Sequence, residues 1–163
     1  MNQVIDPDLA AFMESPVMVV LATRSAAMRP AIARAVGVRL SPDRAVADLF
    51  VSRAQWPQAV DGLQPGAAMA VTVCNPPDYR TYQIKGRLAE VAPADADDHA
   101  VAGGYMSAVG QVLAELGVSR RQIASWLTTE DLLRLRLIPM SAFVQTPGPG
   151  AGAARTSGAE GAA

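Results

Sequence analysis

Apolar and polar positions along this chain follow two periods, and the change comes near residue 93. Up to that point short apolar runs alternate with turn residues, the pattern of strands. Val17–Ala22 is continuously apolar and rich in β-branched residues, which predicts a strand buried on both faces. Ala31–Leu40, Ala45–Ser52, Ala67–Cys74 and Tyr79–Val91 predict four more strands. They are separated by turn chemistry at Thr23–Pro30, Ser41–Arg44, Pro65-Gly66 and Asn75–Asp78. Two short helices interrupt them: Pro7–Glu14, with Asp6 placed as its cap, and Trp56–Leu63, entered by Pro57. Beyond Pro93 the spacing predicts a helix over Asp95–Leu116, with Gly103-Gly104 as a point where it could divide. A short helix capped by Ser119 and ending near Trp126 follows, then a last strand over Leu132–Val144. Short antiparallel strands in such number predict a mainly β fold, a barrel or a sandwich. A folded unit over residues 1–146 is expected. From residue 147 to 163 the chain is Pro-, Gly- and Ala-rich, and this tail is expected to be disordered.

Several residues stand out against this pattern. In the fifth strand Tyr82, Ile84 and Leu88 share one face, and Gln83, Lys85 and Arg87 share the other. Lys85 is the single lysine beside thirteen arginines, and an ammonium on a flexible stem suits an anion or a carbonyl oxygen; a solvated strand face is the alternative. Gly86 is a poor strand residue unless a bulge or a close approach requires it. Ile32, Val36, Val38 and Leu40 alternate onto one face of the second strand, and Arg34 falls on it too. A buried guanidinium needs an anion, supplied either by a ligand or by an acidic residue of the protein. Ser52-Arg53 stands where a strand hands over to a helix, a place suited to phosphate, although Ser-Arg is also an ordinary loop dipeptide. His99 among Asp95, Asp97 and Asp98 reads as a solvated first helical turn and not as a metal site. Val17, Val19, Met69 and Val71 are expected on the outside of the barrel, buried against a second copy of the chain.

Composition narrows the classes. With a net charge near −1 and few aromatic residues, no nucleic-acid footprint is present. One cysteine, Cys74, excludes an internal disulfide framework. No apolar run is long enough to span a membrane, and the first residues lack the pattern of a signal peptide. A cytoplasmic protein with no membrane partner is expected.

Taken in order, Val20–Thr23, Arg29–Gly37, Leu49–Arg53, Trp56–Ala70, Tyr79–Arg87 and Arg136–Pro139 resemble the pyridoxamine 5′-phosphate oxidase-like family of FMN-binding split barrels. The resemblance implies a six-stranded antiparallel split β-barrel with flanking short helices, a homodimer, and flavin held between subunits. It would place Arg34 and the backbone at Ala35 and Val36 along the flavin. Ser52 and Arg53 would hold the phosphate, with Gln58 nearby, and Gln83 and Lys85 would face the ring or its phosphate. FMN is the implied cofactor, with the deazaflavin F420 also compatible. The implied function is hydride transfer to or from a small molecule, or alternatively non-catalytic flavin or deazaflavin binding. A second phosphate clamp like that of the vitamin B6 oxidases is missing from the sequence.

Overall fold

The computed structural model describes residues 3–155. Helix α1 (Pro7–Met13) begins as its sequence predicts, with the Asp6 carboxylate accepting from the Leu9 amide at 2.9 Å. Strand β1 (Met18–Arg24) follows, then β2 (Pro30–Ala35), β3 (Val38–Leu40), β4 (Ala47–Ser52), helix α2 (Pro57–Val60) and β5 (Ala68–Cys74). The long strand β6 (Thr81–Pro93) leads to helix α3 (Ala96–Glu115), the short α4 (Arg120–Ala124) and the closing strand β7 (Leu132–Val144).

All strand pairings are antiparallel, in the order β2-β1-β5-β6-β7-β4-β3. The sheet does not close by a ladder between its edges. Its two edge strands, β2 and β3, are nevertheless consecutive in the chain. The single strand expected over Ala31–Leu40 is broken at Val36-Gly37, so six expected strands become seven. At the break the Val36 amide donates to the Phe50 carbonyl (2.7 Å) and the Phe50 amide to Gly37 (3.2 Å). Gly37 takes φ +143°, and a Cβ there would meet the Phe50 ring at 3.3 Å. The stretch thus leaves β1 at one end and reaches β4 at the other, which splits the barrel.

The main core lies inside the sheet. Val19, Leu21, Val71, Val73, Ile84, Leu135 and Leu137 meet there, and α1 adds Leu9, Phe12 and Met13. A second core lies outside, where α3 and α4 cover Val36, Phe50 and Leu132. α3 runs unbroken through Gly103 and Gly104, and its Tyr105 hydroxyl donates to the Val17 carbonyl at 2.7 Å. α2 is only four residues long, shorter than the expected helix to Leu63, and the Thr23 hydroxyl fastens it by donating to the Ala59 carbonyl.

Val17, Val19, Met69 and Val71 point into the core and do not face outward. Both faces of β1 and β5 are apolar, so alternation alone could not tell which face is inside. In β2 the inward residues are Ala33 and Ala35, both fully buried, while Ile32 is 65% exposed and Arg34 lies on its outer side. The bulky isoleucine signalled the wrong face because the inward positions carry only methyl groups. Asp98 is not in a solvated turn: it is fully buried and closes a capping box with Asp95. His99 on the same turn is exposed, and no cluster that could hold a metal exists among the described residues.

The tail expected to be disordered is placed as far as Arg155. The Gly152 amide donates to Val144, Ala154 bridges Phe143, and Arg155 pairs with Asp6 at 3.0 Å. That ion pair and the backbone bonds to β7 anchor residues that have little apolar surface. Residues 156–163 of that expected tail lie outside the described residues.

Candidate functional site

The sheet's outer surface over β2, β1, β5, β6 and β7 carries most of the residues singled out in the sequence. Side chains alternate across a strand, so registered positions build rows on one face. Arg34, Val20, Thr72, Gln83 and Phe143 are paired in succession and form one row. Ile32, Ala22, Ala70, Lys85 and Ser141 form the next. Small residues in the middle of both rows leave a shallow floor between Arg34 at one edge and Lys85 toward the other. Three strand spacings separate those two positions, roughly 14 Å at the backbone.

The two cations of these rows each lean on a ring. The Arg34 guanidinium lies 5.0 Å from the Trp126 ring centre, and the Lys85 ammonium 4.7 Å from that of Phe143. Neither has an acidic partner among the described residues. The Gln83 amide donates to the Thr72 hydroxyl at 3.3 Å. Gly86 beside Lys85 fulfils its expected purpose. The β6–β7 register shifts between Lys85 and Gly86, and a Cβ at Gly86 would stand 2.2 Å from the Ile138 carbonyl oxygen.

Among the other candidates Ser52, Arg53 and the Val36 amide are already engaged. The Ser52 hydroxyl donates to the Glu130 carbonyl at 2.6 Å and accepts from the Gln55 amide at 3.2 Å. Arg53 makes a two-pronged pair with Asp131, at 2.7 and 3.0 Å, which pushes its guanidinium pKa further up. Gln58 is exposed on α2. Ala35 is buried in the core and the Val36 amide is committed to Phe50, so that amide is not available along the outer face. Arg34 and Lys85, three strands apart, do not meet at one point. Arg34 and Lys85 share a face, and Arg53 belongs to the turn that locks β4 to the start of β7.

A separate charge network fastens the β6-β7-β4-β3 end of the sheet's outer face. Asp48, nearly buried, accepts from Arg136 (2.9 and 3.2 Å) and from Arg39 (3.1 Å), and Arg39 also reaches buried Asp98 at 2.6 Å. Burial pushes the Asp48 carboxyl up, but the bonds and charges of Arg136 and Arg39 together hold it below the usual range. Arg134 joins through Asp98 and Glu90. Arg136 is thereby explained as part of this network, at the position the resemblance assigned to a late strand. Sequence reasoning missed Arg24 as a resident of the outer face, because strand parity was the missing information. Arg87 was legible there, two residues beyond Lys85.

No protein-family model matches the chain, and no curated protein matches it. Solved structures do. HupZ of Group A Streptococcus aligns with a TM-score of 0.53 at 14% identity, over 91% of this chain and 99% of that one. A pyridoxamine 5′-phosphate oxidase candidate from Lactobacillus delbrueckii aligns with a TM-score of 0.51 at 13% identity, over 88% of this chain and 100% of that one. No helix among the described residues is long and apolar enough to cross a membrane. The chain has the split-barrel fold of the pyridoxamine 5′-phosphate oxidase-like proteins.

Proposed function

We propose that this protein binds a phosphate-bearing flavin, FMN or the deazaflavin F420, on the outer face of the sheet, and that it is an oxidoreductase acting on a small molecule. The observation that carries this reading is the pair of adjacent rows on which Arg34, Gln83 and Lys85 stand over a floor of small residues, with no carboxylate paired to either cation. An anionic, flat, partly apolar ligand matches that surface: the rows supply flatness and the cations supply charge. The residues present fit the group in part. Either Arg34 or Lys85 is free to hold its anionic end, and Gln83 offers an amide to the ring. Ser52 and Arg53 do not fit as drawn, since Glu130 and Asp131 occupy them. When bound, the flavin supplies hydride transfer, and the protein's share is to bind, orient and exclude water.

The same face suits a second copy of the chain. Ile32 and Met140 are 65% and 62% exposed there, and Met18, Val20, Ala22 and Ala70 extend the apolar surface. A homodimer across this face would cover the flavin from the side that one subunit leaves open.

The test is an absorption spectrum of the purified protein before and after adding FMN and, separately, F420. A flavin band that stays with the protein through gel filtration supports the reading, and a protein that remains colourless overturns it. Bleaching of the bound flavin by NAD(P)H would identify an enzyme; a bound flavin inert to reductant and substrate would leave a flavin-binding protein without catalysis. Lys85→Ala is expected to weaken FMN by about ten- to a hundredfold, the effect of losing one charge-assisted contact.

A further inference from the structure

At the end of the same sheet a cavity of about 280 Å³ opens between the turn after β1 and the turn before β5. Its walls include Arg24, Ser25, Met28, Gln64, Gly66 and Arg87, and no acidic residue lines it. The strand register explains its shape. Ala68 is paired with Arg87, and continuing the pairing of Ala22 with Ala70 by two residues sets Arg24 on the other side of Ala68. Two guanidinium side chains thus flank a strand position occupied by a single methyl group, about 10 Å apart at the backbone. The gap above Ala68 is the cavity.

Neither guanidinium is neutralised. Arg24 donates to the Met28 thioether at 2.6 Å, and a thioether is a weak acceptor. Arg87 donates once, to the Gly66 carbonyl at 3.0 Å. Neither has an acidic partner among the described residues, so most of their ten N–H donors stay uncommitted. Lys85 stands two residues from Arg87 on the same face and adds a third positive charge. The turns are sharp: Gly62 and Gly66 have φ of +75° and +90°, and Met28 holds φ +60° although it is not glycine. Three like charges gathered without a counter-charge repel one another, and an anion of matching geometry relieves that repulsion.

We propose that this cavity is a binding site for a phosphoryl group, gripped from both sides by Arg24 and Arg87. Guanidinium forks match the oxygen geometry of phosphate, and two of them facing each other across one methyl group favour a tetrahedral dianion over chloride. The site uses residues other than Arg34 and Gln83, and it does not depend on the flavin reading.

The experiment titrates the full-length protein with inorganic phosphate, by calorimetry and by ³¹P line broadening, at constant ionic strength in chloride. Saturable binding is expected. Arg24→Gln and Arg87→Gln should each weaken it about ten- to a hundredfold, Arg24→Lys should restore part of it, and Arg120→Gln on α4 should change nothing. Circular dichroism checks that these exposed replacements leave the fold intact. Phosphate binding that survives the double Arg24→Gln/Arg87→Gln replacement, or that is no stronger than binding of chloride, overturns the proposal. Competition identifies the source. If FMN displaces phosphate mole for mole and riboflavin does not, the group is the cofactor's own; if both stay bound, it belongs to a second, anionic molecule. A protein that takes phosphate but neither FMN nor F420 sinks the flavin reading and leaves this one standing.

Discussion

Replacing Gly86 by alanine tests the strand geometry on which the candidate site depends. The added Cβ would lie 2.2 Å from the Ile138 carbonyl oxygen, 2.9 Å from a Leu137 methyl and 3.0 Å from the Ile138 carbonyl carbon. Real Cβ contacts essentially never fall under 3.0 Å, so the backbone of β7 must retreat by at least 0.8 Å. The obstacle is main chain, and it cannot rotate away as a side-chain tip would. Overpacking of this kind costs about 1–3 kcal/mol, and loosening a neighbouring ladder hydrogen bond adds about 1 kcal/mol. Restricting the unfolded chain offsets roughly 0.4–1 kcal/mol. The net expectation for Gly86→Ala is a loss of about 1–3 kcal/mol, read from urea denaturation at constant m-value. Gly103→Ala on α3 supplies the contrast: its added Cβ meets nothing within 4 Å outside its own turn of helix, so the helix should gain about 0.5–1 kcal/mol. If Gly86→Ala matches or exceeds the wild-type stability, the close β6–β7 approach is wrong, and with it the direction in which Lys85 is presented.

Asp48→Asn should destabilise the protein by roughly 2–3 kcal/mol at neutral pH, because Arg39 and Arg136 lose their shared carboxylate. Its carboxyl is held below the ordinary value of 3.8, so its contribution is complete above that pH and is lost as pH falls through the lowered native value. Acid titration of stability should accordingly be shallower below about pH 4 in Asp48→Asn than in wild type; equal acid slopes would exclude this role. Tyr105→Phe removes the hydroxyl that reaches the Val17 carbonyl and should cost about 1 kcal/mol by thermal or urea unfolding. Ile32→Glu places a charge in the exposed apolar face and should shift sedimentation from dimer to monomer without lowering the unfolding midpoint of the subunit. A wild-type protein that sediments as a monomer at micromolar concentration would remove the dimer from the proposal.

The sequence revealed the strands more readily than their faces. Turn residues and caps located most elements within a few positions, since Asp6, Pro57, Pro65-Gly66 and Ser119 act through the local backbone. Facing was harder wherever alanine lined the core. Ala33 and Ala35 are inside and Ile32 is outside, an inversion that only packing against β1 and α2 decides. Ion pairing was the least legible feature. Nothing local marks Asp131 as the partner of Arg53, 78 residues away, or Asp98 as the partner of Arg39, 59 residues away. The fate of Ser52-Arg53 was therefore settled by chain topology: the turn before β7 brings Glu130 and Asp131 against the end of β4.

The arrangement of charge gives the strongest reason to look for function on the outer sheet face. Arg39, Arg134 and Arg136 are matched by Asp48, Asp98 and Glu90, and together they fasten β3, β4, β6 and β7 to the start of α3. Arg53 is matched by Asp131, and Arg155 by Asp6. Those cations are accounted for by architecture. Arg24, Arg34, Lys85 and Arg87 share one surface and have no carboxylate partner among the described residues. Folding alone gives no reason to gather uncompensated cations over a floor of alanines, since their mutual repulsion is unfavourable and solvent-exposed charge adds little stability. A nearly neutral chain with fifteen acidic residues had carboxylates enough to pair them elsewhere. Their gathering over that floor is what an anionic ligand requires, and removing them should cost ligand affinity while leaving stability almost unchanged, the opposite of what removing Asp48 does.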